Sequence, residues 1–378
     1  MKILADENIP QAKEAFSKFG EIILSHGREI TNELLKDIDI LIVRSITTVN
    51  EKLLHNTPVK FVGTATIGTD HIDKEYLTSK NIFFADAAGC NSFSVAEYVI
   101  TGIAKIFSET NKSFAGKKIG IVGYGNIGTK VSKFAKALGF ETVINDPPLE
   151  RQKVNENFRS LEEALNCDVV TFHVPLNKSG IDKTYHLLNE ENIHLVKSGS
   201  LLLNTSRGPV VKNDVIKKRL KEQNDINVVL DVWENEPKID LELLDLVDIG
   251  TAHIAGYSLE GKLNGTFYVY KKLCEFLEIN SDWTPDYPEI NDRTIELDSS
   301  KMLEEIMFEI SNKIYDISSD SVQLKKLADE NIANPDKYFD QLRKNYKIRR
   351  EFNNYTIRTN GHNQNLQRIL KELRFNVI

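Results

Sequence analysis

From Lys2 to about Ala88, short apolar runs alternate with amphipathic stretches: KIL, QAKEAFSKFG, EIIL, TNELLKD, DILIVRS, NEKLLHN, KFVGTAT, HIDKEYLTSKN and IFFADA. Strand-length runs separated by helical patterns predict a parallel α/β sheet, because parallel neighbours need a crossover, usually a helix, between them. A longer helical pattern spans roughly Ser92 to Glu109, and Gly116 marks the entry to the next unit. From Lys117 the alternation resumes through KKIGIVG, VSKFAKALG, ETVIND, SLEEALN, DVVTFHV, SLLLNTS, VIKKRLKEQ, INVVLDVW and VDIGTAHIAG. The expected fold class is therefore α/β, with two doubly wound, Rossmann- or flavodoxin-like units in series. Tyr257 to Leu277 reads as one helix, with Leu259, Leu263, Phe267, Tyr270, Leu273 and Leu277 at helical spacing. Polarity then rises at Ile279-Asn280-Ser281-Asp282 and prolines fall at 285 and 288, the pattern of a linker. The remaining segment carries a helical pattern (KMLEEIMFEISNKIYDI), a basic stretch (LRKNYKIRRE), TIRT and a final helix-strand pattern, enough for a small α+β domain.

Composition narrows what such a chain can do. Its 378 residues suit two or three domains, and a net charge of -7 argues against nucleic acid or an anionic membrane as the main partner. No apolar run approaches the roughly 18 residues of a membrane span, and the sequence opens directly on strand-like Lys2-Ile3-Leu4, as expected of a cytoplasmic chain without a signal peptide. Cys90, Cys167 and Cys274 are too scattered for a disulfide framework or a cysteine-rich metal site. They read as ordinary buried thiols, and no metal is expected.

Gly123-Tyr124-Gly125-Asn126-Ile127-Gly128 is a GxGxxG that follows the strand-like Ile119-Gly120-Ile121-Val122 and opens an amphipathic helix. In that context the first glycine permits a tight turn, Gly125 lets a pyrophosphate approach the backbone, and Gly128 lets helix and strand pack closely. The free N–H groups of the helix start, on Asn126 and Ile127, favour anions. Asp146 ends the next strand-like run, Thr142-Val143-Ile144-Asn145. An acid there accepts hydrogen bonds from both ribose hydroxyls and repels a 2'-phosphate, so NAD is expected rather than NADP.

Three further segments place polar residues at strand ends: Asn204-Thr205-Ser206-Arg207-Gly208, Asp231-Val232-Trp233-Glu234-Asn235-Glu236-Pro237 and Thr251-Ala252-His253-Ile254-Ala255-Gly256. Ligands of open α/β sheets bind just beyond the carboxyl ends of strands, so these segments point toward one crevice. An Arg, a Glu and a His there suit oxidation of a 2-hydroxy acid. Arg207 can hold a carboxylate in a bidentate fork, His253 can take the hydroxyl proton, and Glu236 can orient His253 and favour its protonated form. Taken singly, each is more simply a hydrogen-bonded structural residue or a surface arginine; their joint order behind a dinucleotide fingerprint carries the reading. If the substrate has anions at both ends, a second cation is needed. Arg44, after the strand-like Asp39–Val43 run, is the leading candidate, against the simpler reading of an ion pair with Asp6 or Glu7; a basic residue reaching in from the C-terminal segment of a partner subunit, such as Arg343 or Arg349, is a further candidate.

The segments LLLNTSRGPVV, VVLDVWENEP and DIGTAHIAGYSLEGK resemble the D-isomer-specific 2-hydroxyacid dehydrogenases, from about residue 30 to 280. KILADENIP, IVRSITTVNEKLL, FVGTATIGTDHID, AAGCN, NDPP and FDQLRKNYKIRREF extend the resemblance over nearly the whole chain, toward a branch acting on a phosphorylated hydroxy acid. The resemblance implies Arg207, Glu236 and His253 as catalytic residues. It also implies Ser45, Thr66 and Tyr257 at the substrate, and Asp146, Thr205, Ser206, Arg207, Asp231 and Gly256 at NAD. It implies a substrate domain of residues 1–95 with a returning helix within 257–280, an NAD domain of 96–256, and a C-terminal homodimerisation domain of 281–378. Val174, in His173-Val174-Pro175, departs from the threonine expected there and removes one side-chain contact to the cofactor. Two competing readings are another dehydrogenase of the same chemistry, such as one for phosphoglycerate, and a dinucleotide-sensing binding protein on this fold.

Overall fold

The apolar runs of the first unit, Met1–Asn91 with Ser258–Glu289, become the strands β1 (Lys2–Asp6), β2 (Glu21–Ser25), β3 (Ile40–Val43), β4 (Phe61–Thr64) and β5 (Phe83–Asp86). The computed structural model describes residues 1–328, 332–360 and 363–378. These strands form one parallel sheet in the order β2-β1-β3-β4-β5. Ile40–Val43 and Phe61–Thr64 are buried at every position, as continuous apolar runs in the middle of a parallel sheet should be. The helix Leu259–Phe276 packs Val269, Tyr270 and Leu273 against Ile3, Ile42 and Phe61. It starts at Ser258, whose hydroxyl accepts from the Gly261 N–H at 2.8 Å, a cap worth about 1 kcal/mol.

The linker beyond that helix is pinned to the first unit. Trp283 packs on Tyr270 with ring centroids 5.3 Å apart. Gln11 and Asp286 exchange two hydrogen bonds, at 2.6 and 2.9 Å. One predicted helix is missing: the TNELLKD pattern makes only a 3-10 turn at Glu33–Leu35, because so short a stretch gains too few hydrogen bonds to offset nucleation.

The second unit comprises Ser92–Tyr257 and Ile290–Ile378. Its main sheet contains β6 (Lys118–Val122), β7 (Glu141–Asn145), β8 (Val169–Phe172), β9 (Leu201–Asn204), β10 (Asn227–Leu230) and β11 (Ile249–Gly250). The order is β11-β10-β9-β8-β6-β7, all pairs parallel. The chain leaves β6 for β7 on one side and returns to β8 on the other, so the end of β6 is the topological switch point where such folds bind ligands. Ser92–Glu109 is one helix with the bounds its sequence pattern predicts.

The C-terminal part forms a three-stranded parallel sheet, β12 (Thr294–Leu297), β13 (Thr356–Thr359) and β14 (Asn376–Val377), in sequence order. Its Ile306, Met307, Ile310, Phe352 and Leu370 lie in one apolar cluster with Ile103 and Phe107 of the helix Ser92–Glu109 and Leu203 of β9. This sheet and its helices therefore share a core with the second unit. The three cysteines are buried and free.

Candidate active site

The turn after β6 has the geometry its glycines predict. Gly123 has φ +96°, and a Cβ on it would lie 2.8 Å from the His173 carbonyl oxygen. One on Gly128 would lie 2.0 Å from the Gly123 oxygen, whereas one on Gly125 would meet nothing within 4 Å. Two glycines thus serve close packing, and the middle one borders open space. Gly125 begins the helix Asn126–Ala137 and no side chain caps it, leaving the first-turn N–H groups of Asn126 and Ile127 to an outside acceptor. One Asp146 oxygen accepts from Tyr124 N–H at 2.8 Å and the other from Leu149 N–H at 3.0 Å. The carboxylate is thereby fixed beside the glycine turn, and its remaining lone pairs suit ribose hydroxyls. The residues present fit a dinucleotide.

Beyond β9, the Asn204 side chain organises the next turn. Its oxygen accepts from the N–H and hydroxyl of Ser206 at 3.1 and 2.8 Å, and its amide donates to the Arg207 carbonyl at 3.0 Å. Arg207 then follows in extended backbone with its guanidinium on the Ser206 carbonyl, 2.8 Å away. Gly208 is required here: a Cβ would lie 1.9 Å from the Trp233 carbonyl oxygen. That close approach joins the arginine turn to the segment carrying Glu236.

Asp231, at the end of β10, is buried and holds the histidine loop. Its carboxylate accepts from the N–H groups of Ile254 and Ala255 at 2.8 and 2.9 Å and from the Thr251 hydroxyl at 2.6 Å. Its carbonyl accepts from His253 N–H at 2.8 Å. Thr251 in turn meets the Tyr98 hydroxyl at 2.7 Å, and its carbonyl accepts from the Trp233 indole at 2.9 Å. This network holds the loop in which His253 has φ +56°; Asn235, next to Glu236, has φ +62°. Both are left-handed conformations of the kind that cluster at functional sites.

His253 Nδ1 lies 2.8 Å from Glu236 Oε2, while Oε1 accepts from the Trp233 N–H at 2.9 Å. Burial works to raise the Glu236 carboxyl. The attraction of His253, their hydrogen bond, the Trp233 N–H and the nearby Arg343 outweigh it and hold the group below the usual carboxylate range. An ionised Glu236 takes the Nδ1 proton as a hydrogen bond, so Nε2 of His253 carries the lone pair. His253 stays about one-third exposed, accessible to a substrate hydroxyl.

Sequence reasoning noted the segment around His173 only for Val174. In the fold, His173 is buried, with Nε2 3.0 Å from the Thr171 hydroxyl and Nδ1 3.3 Å from the Thr205 hydroxyl. Burial pushes it down to about 3, so it is neutral and ties β8 to the Thr205 turn.

The expected substrate residues divide between the units. Arg44 and Ser45 follow β3, and Thr66 follows β4, in the first. Arg44 is half-buried. Thr66 donates to the Gly68 carbonyl at 3.2 Å and meets the Thr64 hydroxyl at 2.8 Å, with His71 a further 3.1 Å along. Tyr257 and Gly256 close the histidine loop of the second unit, the Tyr257 ring edge-on to Tyr346 at 6.0 Å.

Arg349, expected only as a residue that could reach the site of a partner subunit, takes a different place within its own chain. Buried in the C-terminal part, its guanidinium donates to the Ala255 carbonyl at 2.5 Å and to the Ser94 hydroxyl, and lies 4.5 Å from the Tyr315 ring centroid. The basic run that contains it was the only signal, and a run of that kind ordinarily reads as a solvated face.

Residues 100–255 match the family described as D-isomer specific 2-hydroxyacid dehydrogenase, NAD binding domain, and residues 287–373 match one described as a domain of unknown function, DUF3410. The chain is 41% identical over 383 residues to an erythronate-4-phosphate dehydrogenase of Klebsiella pneumoniae (strain 342), covering 100% of this chain and 99% of that one. It is 42% identical over 373 residues to an erythronate-4-phosphate dehydrogenase of Shewanella sediminis (strain HAW-EB3), covering 96% of each. Among solved structures, a D-lactate dehydrogenase from Aquifex aeolicus complexed with NAD and lactic acid superposes with a TM-score of 0.60 at 25% identity, over 74% of this chain and 96% of that one. A parallel sheet with a glycine turn at its switch point, and an Arg, a Glu and a His at its strand ends, define an NAD-dependent 2-hydroxyacid dehydrogenase. Within that class, full-length identity above two-fifths decides the branch. The chain belongs to the erythronate-4-phosphate dehydrogenase family.

Proposed function

We propose that this chain oxidises 4-phospho-D-erythronate to 3-hydroxy-2-oxo-4-phosphobutanoate with NAD, a step toward pyridoxal phosphate, in the cytoplasm and as a homodimer. The observation that carries the chemistry is the 2.8 Å pair of Glu236 and His253. The family identity supplies the substrate. In the reaction the C2 hydroxyl loses its proton to Nε2 of His253, and the C2–O bond becomes a carbonyl as the C2 hydrogen leaves with its electron pair. Bound at the glycine turn, NAD supplies the acceptor for that hydride. Glu236 stabilises the imidazolium as it forms. Arg207 holds the substrate carboxylate and draws electron density toward the developing carbonyl.

Residues 1–95 with 257–280 serve as the substrate domain and contribute Arg44, Ser45 and Thr66, while Tyr257 reaches the substrate from the edge of the NAD domain, 96–256. The cofactor is held by Gly123, Gly125, Asn126, Ile127, Gly128, Asp146, Thr205, Ser206, Arg207, Asp231 and Gly256. Asp231 acts through the loop whose N–H groups it binds. Residues 281–378 make the dimer.

The test is a substrate panel with the purified protein, following NADH absorbance with 4-phosphoerythronate, 3-phosphoglycerate, glycerate and lactate. The highest kcat/KM is expected on 4-phosphoerythronate. Preference for 3-phosphoglycerate would replace the substrate, and no turnover on any acid would replace the enzyme with a dinucleotide-binding protein. Light scattering tests the dimer.

A further inference from the structure

A substrate with a carboxylate at one end and a phosphate at the other needs two cationic contacts, and Arg207 answers for the carboxylate beside the reacting carbon. The second unit holds another arginine next to the catalytic pair. Arg343 lies in the last turn of the helix Pro335–Lys344. Its guanidinium carbon is 5.7 Å from the centroid of the Tyr257 ring, and its Nε is shut off from solvent with no hydrogen-bond partner.

Glu236 is near enough to Arg343 for each to favour the other's charged form. Yet Glu236 is already engaged at both oxygens, by the Trp233 N–H at 2.9 Å and by His253 at 2.8 Å. Buried polar groups in folded proteins are nearly always paired, so a guanidinium nitrogen left without an acceptor beside a catalytic dyad is a feature to explain. An anionic ligand explains it. Three oxygens of a phosphate match the donor fork of an arginine, and a neighbouring phenol adds a further donor.

We propose that Arg343, with the Tyr257 hydroxyl, binds the phosphate of the phosphorylated hydroxy acid in the active site of its own chain. The proposal rests on the function proposed above. It gives the segment matched by the domain of unknown function a second role besides assembly, that of specifying the substrate. The competing account is a positioning residue that merely steadies Glu236 or Tyr257.

The experiment uses the full-length enzyme and the variants Arg343→Met and Arg343→Lys, assayed on 4-phosphoerythronate and on erythronate. Truncating one partner of a desolvated charge pair costs at least about thirtyfold in affinity. Arg343→Met is therefore expected to raise KM for the phosphorylated acid by that factor or more, and to lower its kcat/KM at least about thirtyfold further than that of erythronate. Arg343→Lys restores the charge without the fork and is expected to recover only part of the loss. A second readout is thermal protection of the NAD-bound enzyme by inorganic phosphate, expected in the parent and lost in Arg343→Met. Equal losses on the two acids, or a displaced pH-rate profile with unchanged discrimination, would overturn the proposal in favour of positioning. A parent enzyme indifferent to the phosphate would overturn the functional reading instead, while phosphate protection that survives in Arg343→Met would overturn the Arg343 contact alone. If Arg343→Met does not fold, Arg343→Lys with the same two readouts decides.

Discussion

The buried guanidinium of Arg349 donates to the carbonyl oxygen of Ala255 at 2.5 Å, just beyond His253 in the chain. A side chain of the C-terminal part thereby fixes the loop that carries His253, the base in the reaction proposed above. Asp231 grips the same loop through its N–H groups, so the left-handed backbone at His253 is held from both sides. Replacing Arg349 with Met removes one of two donors to that carbonyl, leaving the Ser94 hydroxyl at 2.9 Å, and takes away the buried cation that faces Glu97. A loss of about 3 kcal/mol in stability is expected, with kcat at least about tenfold lower at temperatures where the variant remains folded. Urea unfolding and steady-state kinetics check both parts. A folded but destabilised variant with normal kcat would show that Arg349 serves stability alone.

His253 and Glu236 make a prediction about acid. The carboxyl of Glu236 is held below the usual carboxylate range, so it stays ionised, and keeps its hydrogen bond to His253, as pH falls toward that range. His253→Ala is expected to lose about a hundredfold or more in turnover. Glu236→Gln keeps the shape and removes the charge, so the acidic limb of kcat/KM should move to lower pH while kcat falls. A profile that stays in place would detach Glu236 from the proton transfer.

His173 makes a prediction about stability. Burial lowers it from 6.5 to about 3. The unfolded chain therefore protonates it first, and between those two values the unfolded state binds more protons. Stability from the neutral, buried imidazole is present above about pH 6.5 and is lost as pH falls toward 3. The limiting slope is about 1.4 kcal/mol per pH unit. From pH 7 to 5 the parent protein should lose about 2 kcal/mol more than His173→Gln, which has no proton to take up. Parallel unfolding curves for the two proteins would contradict a neutral buried His173.

How far the sequence reaches is clearest by comparing these residues. The glycine turn, Asp146 and the Arg207 turn were legible because their chemistry is local: a tight turn, a helix start and a strand end each leave a mark within a few residues. The helix Ser92–Glu109 was legible as one long, mostly apolar stretch without a turn signal, although it is buried on every side from Ser94 to Ala104. Arg343 and Arg349 were legible only as cations that could reach the site of a partner subunit, since a basic run looks the same whether it is solvated, folded back or crossing an interface. Only the fold brings Arg349 to Ser94 and Ala255. His173 was passed over for a related reason: Thr171 lies two residues back, but Thr205 follows the neighbouring strand, and pairing across a sheet leaves no local pattern.

Cofactor choice is expected to turn on Asp146. Its carboxylate is held between the N–H groups of Tyr124 and Leu149, and a negative charge fixed there repels a 2'-phosphate. Asp146→Ala should relax discrimination against NADP and weaken NAD binding by the lost ribose hydrogen bonds. The ratio of kcat/KM with the two cofactors measures this. A parent enzyme that already accepts NADP as readily as NAD would remove Asp146 as the discriminating residue.

A chain ended near Asn280 would test what the C-terminal part contributes. Ile306, Met307, Ile310 and Phe352 lie in one buried cluster with Ile103, Phe107 and Leu203, so the cut removes one wall of the second unit's core. Each large apolar side chain newly exposed costs roughly 1.5–3 kcal/mol. Ile103, Phe107 and Leu203 together then cost roughly 5–9 kcal/mol, comparable with the 5–15 kcal/mol or so that ordinarily holds a domain folded. The expected product is an aggregating or partly unfolded chain that binds neither NAD nor substrate, with the second unit failing before the first. Intrinsic fluorescence of Trp233, buried in the second unit, would follow its unfolding, since Trp283 lies beyond the cut. A truncated chain that stays monodisperse and still binds NAD would mean that these contacts are dispensable to the second unit, leaving the C-terminal part a role in assembly and in the contacts of Arg343 and Arg349.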